Sequence, residues 1–156
     1  MAALAFLSSS LAVLAFLLVP ASSRADSRFS VNRGMGGIAL GMTASEVRER
    51  LGAPTRIDAG PDFTAWSYRR PSIEVTLKPG VVTLHTASPS IRGPRAIGVG
   101  TSARRLKAVL GRRLRCRSAR GRGFCVIGSF ATGRRSTVLD LRRQRVMAVT
   151  ISVSTP

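Results

Sequence analysis

The sequence predicts an α+β fold of two tandem repeats, each a short helix packed on a four-stranded antiparallel sheet, and three observations predict it. The stretch Ile38-Ala-Leu-Gly-Met-Thr-Ala-Ser-Glu-Val-Arg-Glu-Arg-Leu-Gly52 returns, degraded, as Ile97-Gly-Val-Gly-Thr-Ser-Ala-Arg-Arg-Leu-Lys-Ala-Val-Leu-Gly111. Gly41 matches Gly100, Leu51 matches Leu110 and Gly52 matches Gly111 at one common separation, which reads as a duplication. Each copy carries helix punctuation, and each is followed by short alternating runs broken by Gly and Pro turns.

Residues 1–25 run apolar from Leu4 to Val19, then pass through Pro20 to Ser23-Arg24-Ala25, the outline of a signal peptide cut after Ala25. The alternative is a retained N-terminal membrane anchor. Residues 26–36, polar and glycine-rich, read as a flexible lead-in. The first repeat is expected over residues 37–86. Thr43 is placed to cap a helix, with Glu46 completing a capping box. Ala44, Val47 and Leu51 form one apolar stripe, and Gly52 and Pro54 stop the helix. Two turns of helix do not persist alone, so the stripe requires a sheet beneath it. Strands are expected at residues 55–58, 63–69, 72–78 and 81–86, separated by Gly60-Pro61, Arg70-Pro71 and Pro79-Gly80. Connections this short join antiparallel neighbours.

Residues 87–95 read as a linker, and residues 96–153 as the second repeat. Ser102 caps its helix, Ala103, Leu106 and Leu110 form the stripe, and Gly111 ends it. Strands follow at residues 113–117, 124–130, 136–142 and 147–153. Cys116 and Cys125 fall on the positions of Ile57 and Trp66 in the first repeat. Eight residues separate them, an even number, as directly opposed positions around a two-residue turn at Arg120-Gly121 require. A hairpin disulfide is expected. The other reading of the pair is a reactive or metal-binding thiol pair, for which the spacing is not CxxC and a single His is present.

Charge is distributed unevenly. The chain holds 25 basic and 7 acidic residues, for a net charge of +18. Residues 26–91 carry 8 basic and 6 acidic groups, whereas residues 92–156 carry 16 basic groups and a single acid, Asp140. Arg113, Arg115 and Arg117 alternate with Leu114 and Cys116, which predicts three guanidiniums on one side of a strand. Arg120, Arg122, Arg142, Arg143 and Arg145 sit in or beside turns, and Arg104 and Arg105 occupy a first helical turn, where the macrodipole disfavours cations. These ten residues are the expected anionic-partner surface. The bland alternative is a solvated surface set by base composition.

The run Gly41-Met42-Thr43, then Glu46-Val47, Leu51-Gly52 and Pro54, followed by Trp66-Ser-Tyr68 and a Val-Thr-Leu strand ending at Gly80-Val81, resembles the SmpA/OmlA (BamE-like) outer-membrane assembly domain. The duplication resembles the tandem organisation of the beta-lactamase inhibitory proteins. Both resemblances imply protein binding rather than catalysis, the second through a concave sheet surface.

No residue set calls for a reaction. His85 alternates with Leu84 and Val82 and reads as a surface strand residue. Glu46 and Glu49 are accounted for by the cap and the exposed helix face. The chain is therefore expected to be no enzyme, with no metal or other cofactor. The expected function is an exported, non-catalytic binding or assembly module of the cell envelope or extracellular space, periplasmic or secreted, engaging a protein partner. The alternatives are a secreted hydrolase inhibitor of the beta-lactamase type, or a cationic binder of anionic polymer, lipid head groups or nucleic acid. Export argues against genomic DNA as that partner.

Overall fold

The structure, a computed structural model, describes residues 26–156, so the expected signal peptide at residues 1–25 lies outside the described residues. Among the described residues eleven strands and two α-helices follow one another: β1 (Phe29–Ser30), β2 (Gly34–Met35), β3 (Ile38–Ala39), α1 (Ala44–Leu51), β4 (Arg56–Ala59), β5 (Thr64–Tyr68), β6 (Ile73–Leu77), β7 (Val81–Thr86), α2 (Ala103–Leu110), β8 (Arg115–Ala119), β9 (Arg122–Gly128), β10 (Arg135–Arg142) and β11 (Arg145–Val153).

The fold class differs from expectation. The chain is mostly β, and in place of two four-stranded units it builds one eight-stranded antiparallel sheet in the order β4-β5-β6-β7-β11-β10-β9-β8. The seam is the pairing of β7 with β11, in which Thr86, His85, Leu84 and Thr83 face Val149, Thr150, Ile151 and Ser152. The physical reason is edge removal. Two separate meanders would each leave a last strand with unpaired amides and carbonyls, and joining β7 to β11 satisfies both.

Strand parity then separates the two faces. Ile57, Trp66, Val75, Leu84, Ile151, Thr137 and Ile127 form a continuous cross-strand row through seven strands. All but Ile57 at the sheet edge are buried. This row and its neighbours are the covered face. Val47 of α1 and Leu106 of α2 are both fully buried in the same core.

The helix entries are built as their residues dictate. The Thr43 amide donates to Glu46 Oε2 at 2.7 Å and the Glu46 amide to Thr43 Oγ1 at 3.3 Å, closing the capping box. Gly41 and Gly100 precede the caps with φ of +91° and +89°, a backbone region that favours glycine. Each donates to a strand start, Gly41 to Val81 O at 2.8 Å and Gly100 to Val146 O at 2.7 Å.

Residues 26–36 are not a flexible lead-in. β1, β2 and β3 form a three-stranded sheet of their own, and Phe29, Met35 and Ile38 are buried. Phe29 donates its amide to Arg92 O at 2.8 Å. A Cβ on Gly93 would run into the Phe29 ring, so the close approach requires glycine there. The segment expected as a linker is likewise fastened, with Ile91 fully buried. Few apolar residues mark either stretch, but they are the ones that fill the core.

Candidate anionic-partner interface

The β8–β9 hairpin turns through Arg120 and Gly121 with φ of +49° and +78°, and the β10–β11 hairpin turns through Arg143 and Gln144 with φ of +49° and +63°. Both are two-residue turns of the kind whose twist suits paired strands. The Arg143 amide donates to Gly121 O at 2.8 Å, which holds the two tips side by side. Behind them Ala119, Arg122, Arg142 and Arg145 stand in register across four strands. The start of α2 packs on the same tips, since the Ala103 amide donates to Gln144 O at 2.9 Å. Arg104 and Arg105 are thereby carried to this end of the molecule.

Nine of the ten sequence-predicted arginines are thus brought to the tips or to β8 beside them, and all nine are exposed. Arg145 donates to Gly100 O at 3.0 Å, Arg105 to Arg95 O at 3.2 Å and Arg115 to Gly128 O at 2.6 Å. Asp140, cross-strand from Phe124, which is itself opposite Arg117, makes no salt bridge among the described residues. Among the described residues the salt bridge is that of Arg56 with Asp58, in the other half of the sheet.

Arg113 departs from expectation. It lies in a 3-10 turn, Gly111–Arg113, ahead of the strand rather than on it. Its side chain lines a separate cleft of about 520 Å³ with Val31, Asn32, Pro94, Val109, Leu110 and Ile127. The expected row of three guanidiniums is therefore two, Arg115 and Arg117. The 3-10 turn uses Leu114 to close on Gly111 O at 3.2 Å, which delays the strand.

Cys116 and Cys125 form the expected disulfide, directly opposed with Cα atoms 4.0 Å apart. Cys125 is fully buried, on the covered face. Arg115 and Arg117 consequently point to the other, open face. Sequence reasoning missed that this face is partly apolar. Phe124 is exposed on it, and Val126 and Val138 share the row of Arg115. The signal was present in Phe124-Cys125-Val126-Ile127, a run apolar on both sides of its strand.

His85 is on the open face as well, with Nδ1 3.0 Å from Thr150 Oγ1 and Glu74 as its cross-strand neighbour. Among the described residues no group of three or more His, Cys, Asp or Glu is placed to hold a metal ion. No described helix is long and apolar enough to cross a membrane.

An antiparallel sheet covered on one face by two short helices and an N-terminal strap, with its other face open, is the class to which this protein belongs. No protein-family model and no curated protein sequence matches the chain. In fold it is similar to an extracellular protein containing a SCP domain from Bacillus anthracis str. Ames, with 11% identity, a TM-score of 0.52, and coverage of 73% of this chain and 44% of that one. It thus spans less than half of that protein. A cysteine-rich secretory protein from Staphylococcus aureus subsp. aureus Mu50 gives 10% identity and a TM-score of 0.47 over 73% of this chain and 44% of that one. A DUF4309 family protein from Bacillus subtilis subsp. subtilis str. 168 gives 15% and 0.43 over 71% and 78%.

These findings correct the resemblance to the SmpA/OmlA (BamE-like) domain and to the beta-lactamase inhibitory proteins. The structure similar at a TM-score of 0.52 is a SCP-domain protein, and one continuous sheet replaces the tandem units. The residues behind the resemblance, Gly41-Met42-Thr43 and Leu51-Gly52-Ala53-Pro54, start and stop a helix. Such punctuation serves any short helix and does not identify a family.

Proposed function

We propose that this chain is an exported, non-catalytic binding module whose basic end engages an acidic protein surface. The observation that carries the reading is the gathering of Arg104, Arg120, Arg122, Arg142 and Arg143 at the paired hairpin tips, with no ion pair among the described residues to neutralise them. Clustered like charges oppose folding, so a surface that keeps them is best explained by a partner of opposite sign. Arginine presents a planar fork of donors that matches carboxylates, two hydrogen bonds at a time. Export is supported by the apolar run before Ala25 and by the cystine, which persists in oxidising compartments. The SCP-domain protein that shares the fold is described as extracellular.

The test is retention of the disulfide-intact protein on immobilised polyglutamate, on duplex DNA and on phosphatidylglycerol vesicles. Polyglutamate binding is expected to fall steeply between low and physiological salt as screening sets in. The Arg122→Glu, Arg142→Glu, Arg143→Glu variant should lose it by about tenfold or more, about 1.4 kcal/mol. A charge-matched variant at the opposite ends of the strands, Lys78→Glu, Arg134→Glu, Arg135→Glu, should retain most of it. Salt-indifferent retention, or equal loss in both variants, would refute the reading. Stronger retention on DNA or vesicles than on polyglutamate would reassign the partner.

A further inference from the structure

The eight-stranded sheet ends on two edges, β4 and β8, and the two are built differently. On β4, Arg56 and Asp58 stand two residues apart on the open face and neutralise one another, with Arg56 Nε 2.8 Å from Asp58 Oδ2. On β8 the same spacing holds Arg115 and Arg117, two cations with no acid among the described residues paired to either.

The outer edge of β8 is also free to bond. Arg120 and Gly121 make a two-residue turn, so Ala119 and Arg122 close it as a hydrogen-bonded pair, and the alternation continues to Arg117 with Phe124 and Arg115 with Val126. Cys116 with Cys125 and Ser118 with Gly123 are the intervening pairs, as the 4.0 Å Cα separation of the cysteines agrees. The amides and carbonyls of Cys116 and Ser118 therefore point off the sheet, and among the described residues β8 pairs with β9 alone. The disulfide rivets this strand to β9. An edge so held is ordered before a partner arrives, which reduces the entropy lost on binding.

We propose that the outer edge of β8 is a strand-addition site for an extended acidic segment of a partner protein; this deepens the proposed function and rests on it. The added strand exchanges hydrogen bonds with Cys116 and Ser118 and sets carboxylates on alternate residues opposite Arg115 and Arg117. A second copy of this chain is the wrong occupant, because β8 against β8 brings arginines against arginines, and like charges opposed across strands are destabilising.

The probe is a capped peptide of alternating Val and Glu, titrated into the disulfide-intact protein. Readouts are affinity and hydrogen exchange at the Cys116 and Ser118 amides. Addition is expected to slow exchange at both amides. Methylating the Val amides, which face the edge in this register, should weaken binding about tenfold or more. Ser118→Pro removes one outward donor while leaving the bonds to β9 intact, and proline is tolerated on the solvent side of an edge strand, so a comparable loss is expected without unfolding. A Val-Lys peptide should not bind. If the methylated peptide binds as well as the parent, or protection appears away from β8, the edge inference is overturned while charge-driven binding at the tips stands. The edge inference falls in the same way if polyglutamate binds and the peptide does not, leaving Arg115 and Arg117 as charges that guard an edge against aggregation. If neither binds at low salt, both readings fall.

Discussion

Thr43 and Glu46 show how much a few side chains determine alone. The Glu46 carboxyl is held below its ordinary value, first by the Thr43 backbone amide and then by the Thr43 hydroxyl. A carboxylate with a depressed folded pKa contributes stability above its unfolded value, near pH 4.3, and loses it as pH falls through the folded value. Glu46→Gln is therefore expected to lower the urea midpoint at pH 7, and the difference from the parent protein should shrink as pH falls through the folded value of Glu46. Thr43→Ala should cost about 1 kcal/mol at neutral pH, measured the same way. The cap was legible in the sequence because every atom of it lies within four residues. The contact of Arg48 was not: the residue is exposed on its helix, and its guanidinium lies 4.7 Å from the centroid of the Trp66 ring, on a strand brought close only by packing.

Hairpins are the elements on which the candidate interface depends. The Cys116–Cys125 bond closes a loop with a sequence separation of 9 residues, for which the chain-entropy model gives about 2.5 kcal/mol. Replacing both cysteines by alanine should lower unfolding stability by an amount of that order, read from urea denaturation with and without reductant. A bond that instead left stability unchanged would show the hairpin to be rigid without it. At the neighbouring tip, Arg143 and Gln144 both hold positive φ with side chains that disfavour it. Gln144→Gly is expected to stabilise by roughly 0.5–1 kcal/mol, since it supplies the residue a type I′ turn prefers while sparing Arg143. The disulfide was legible from parity, and the tip arginines from turn chemistry. Arg113 was misplaced because a 3-10 turn and a strand start look alike in a run of alternating arginines.

At the scale of the molecule, the seam between β7 and β11 makes the sheet one object. Ile151 is fully buried opposite Leu84, and Trp66 lies two strands further along the same row. Ile151→Ala should cost roughly 2–5 kcal/mol by leaving a cavity in that row. Trp66 fluorescence and far-ultraviolet circular dichroism should then shift together, because a single sheet unfolds cooperatively. Two independent four-stranded units would leave the Trp66 transition where it was. The sequence by itself determined the two helices, their caps and stops, the order of the eight long strands, the disulfide and the cationic second half. Each of those rests on local periodicity, turn chemistry or spacing. Only the tertiary structure decided that the strands form one sheet, that Phe29 and Met35 belong to the core, and that arginines distant in sequence meet at one end. Strand-to-strand edge pairing and core filling are contacts between residues far apart in the chain, and local patterns carry no record of which distant edge each strand will satisfy.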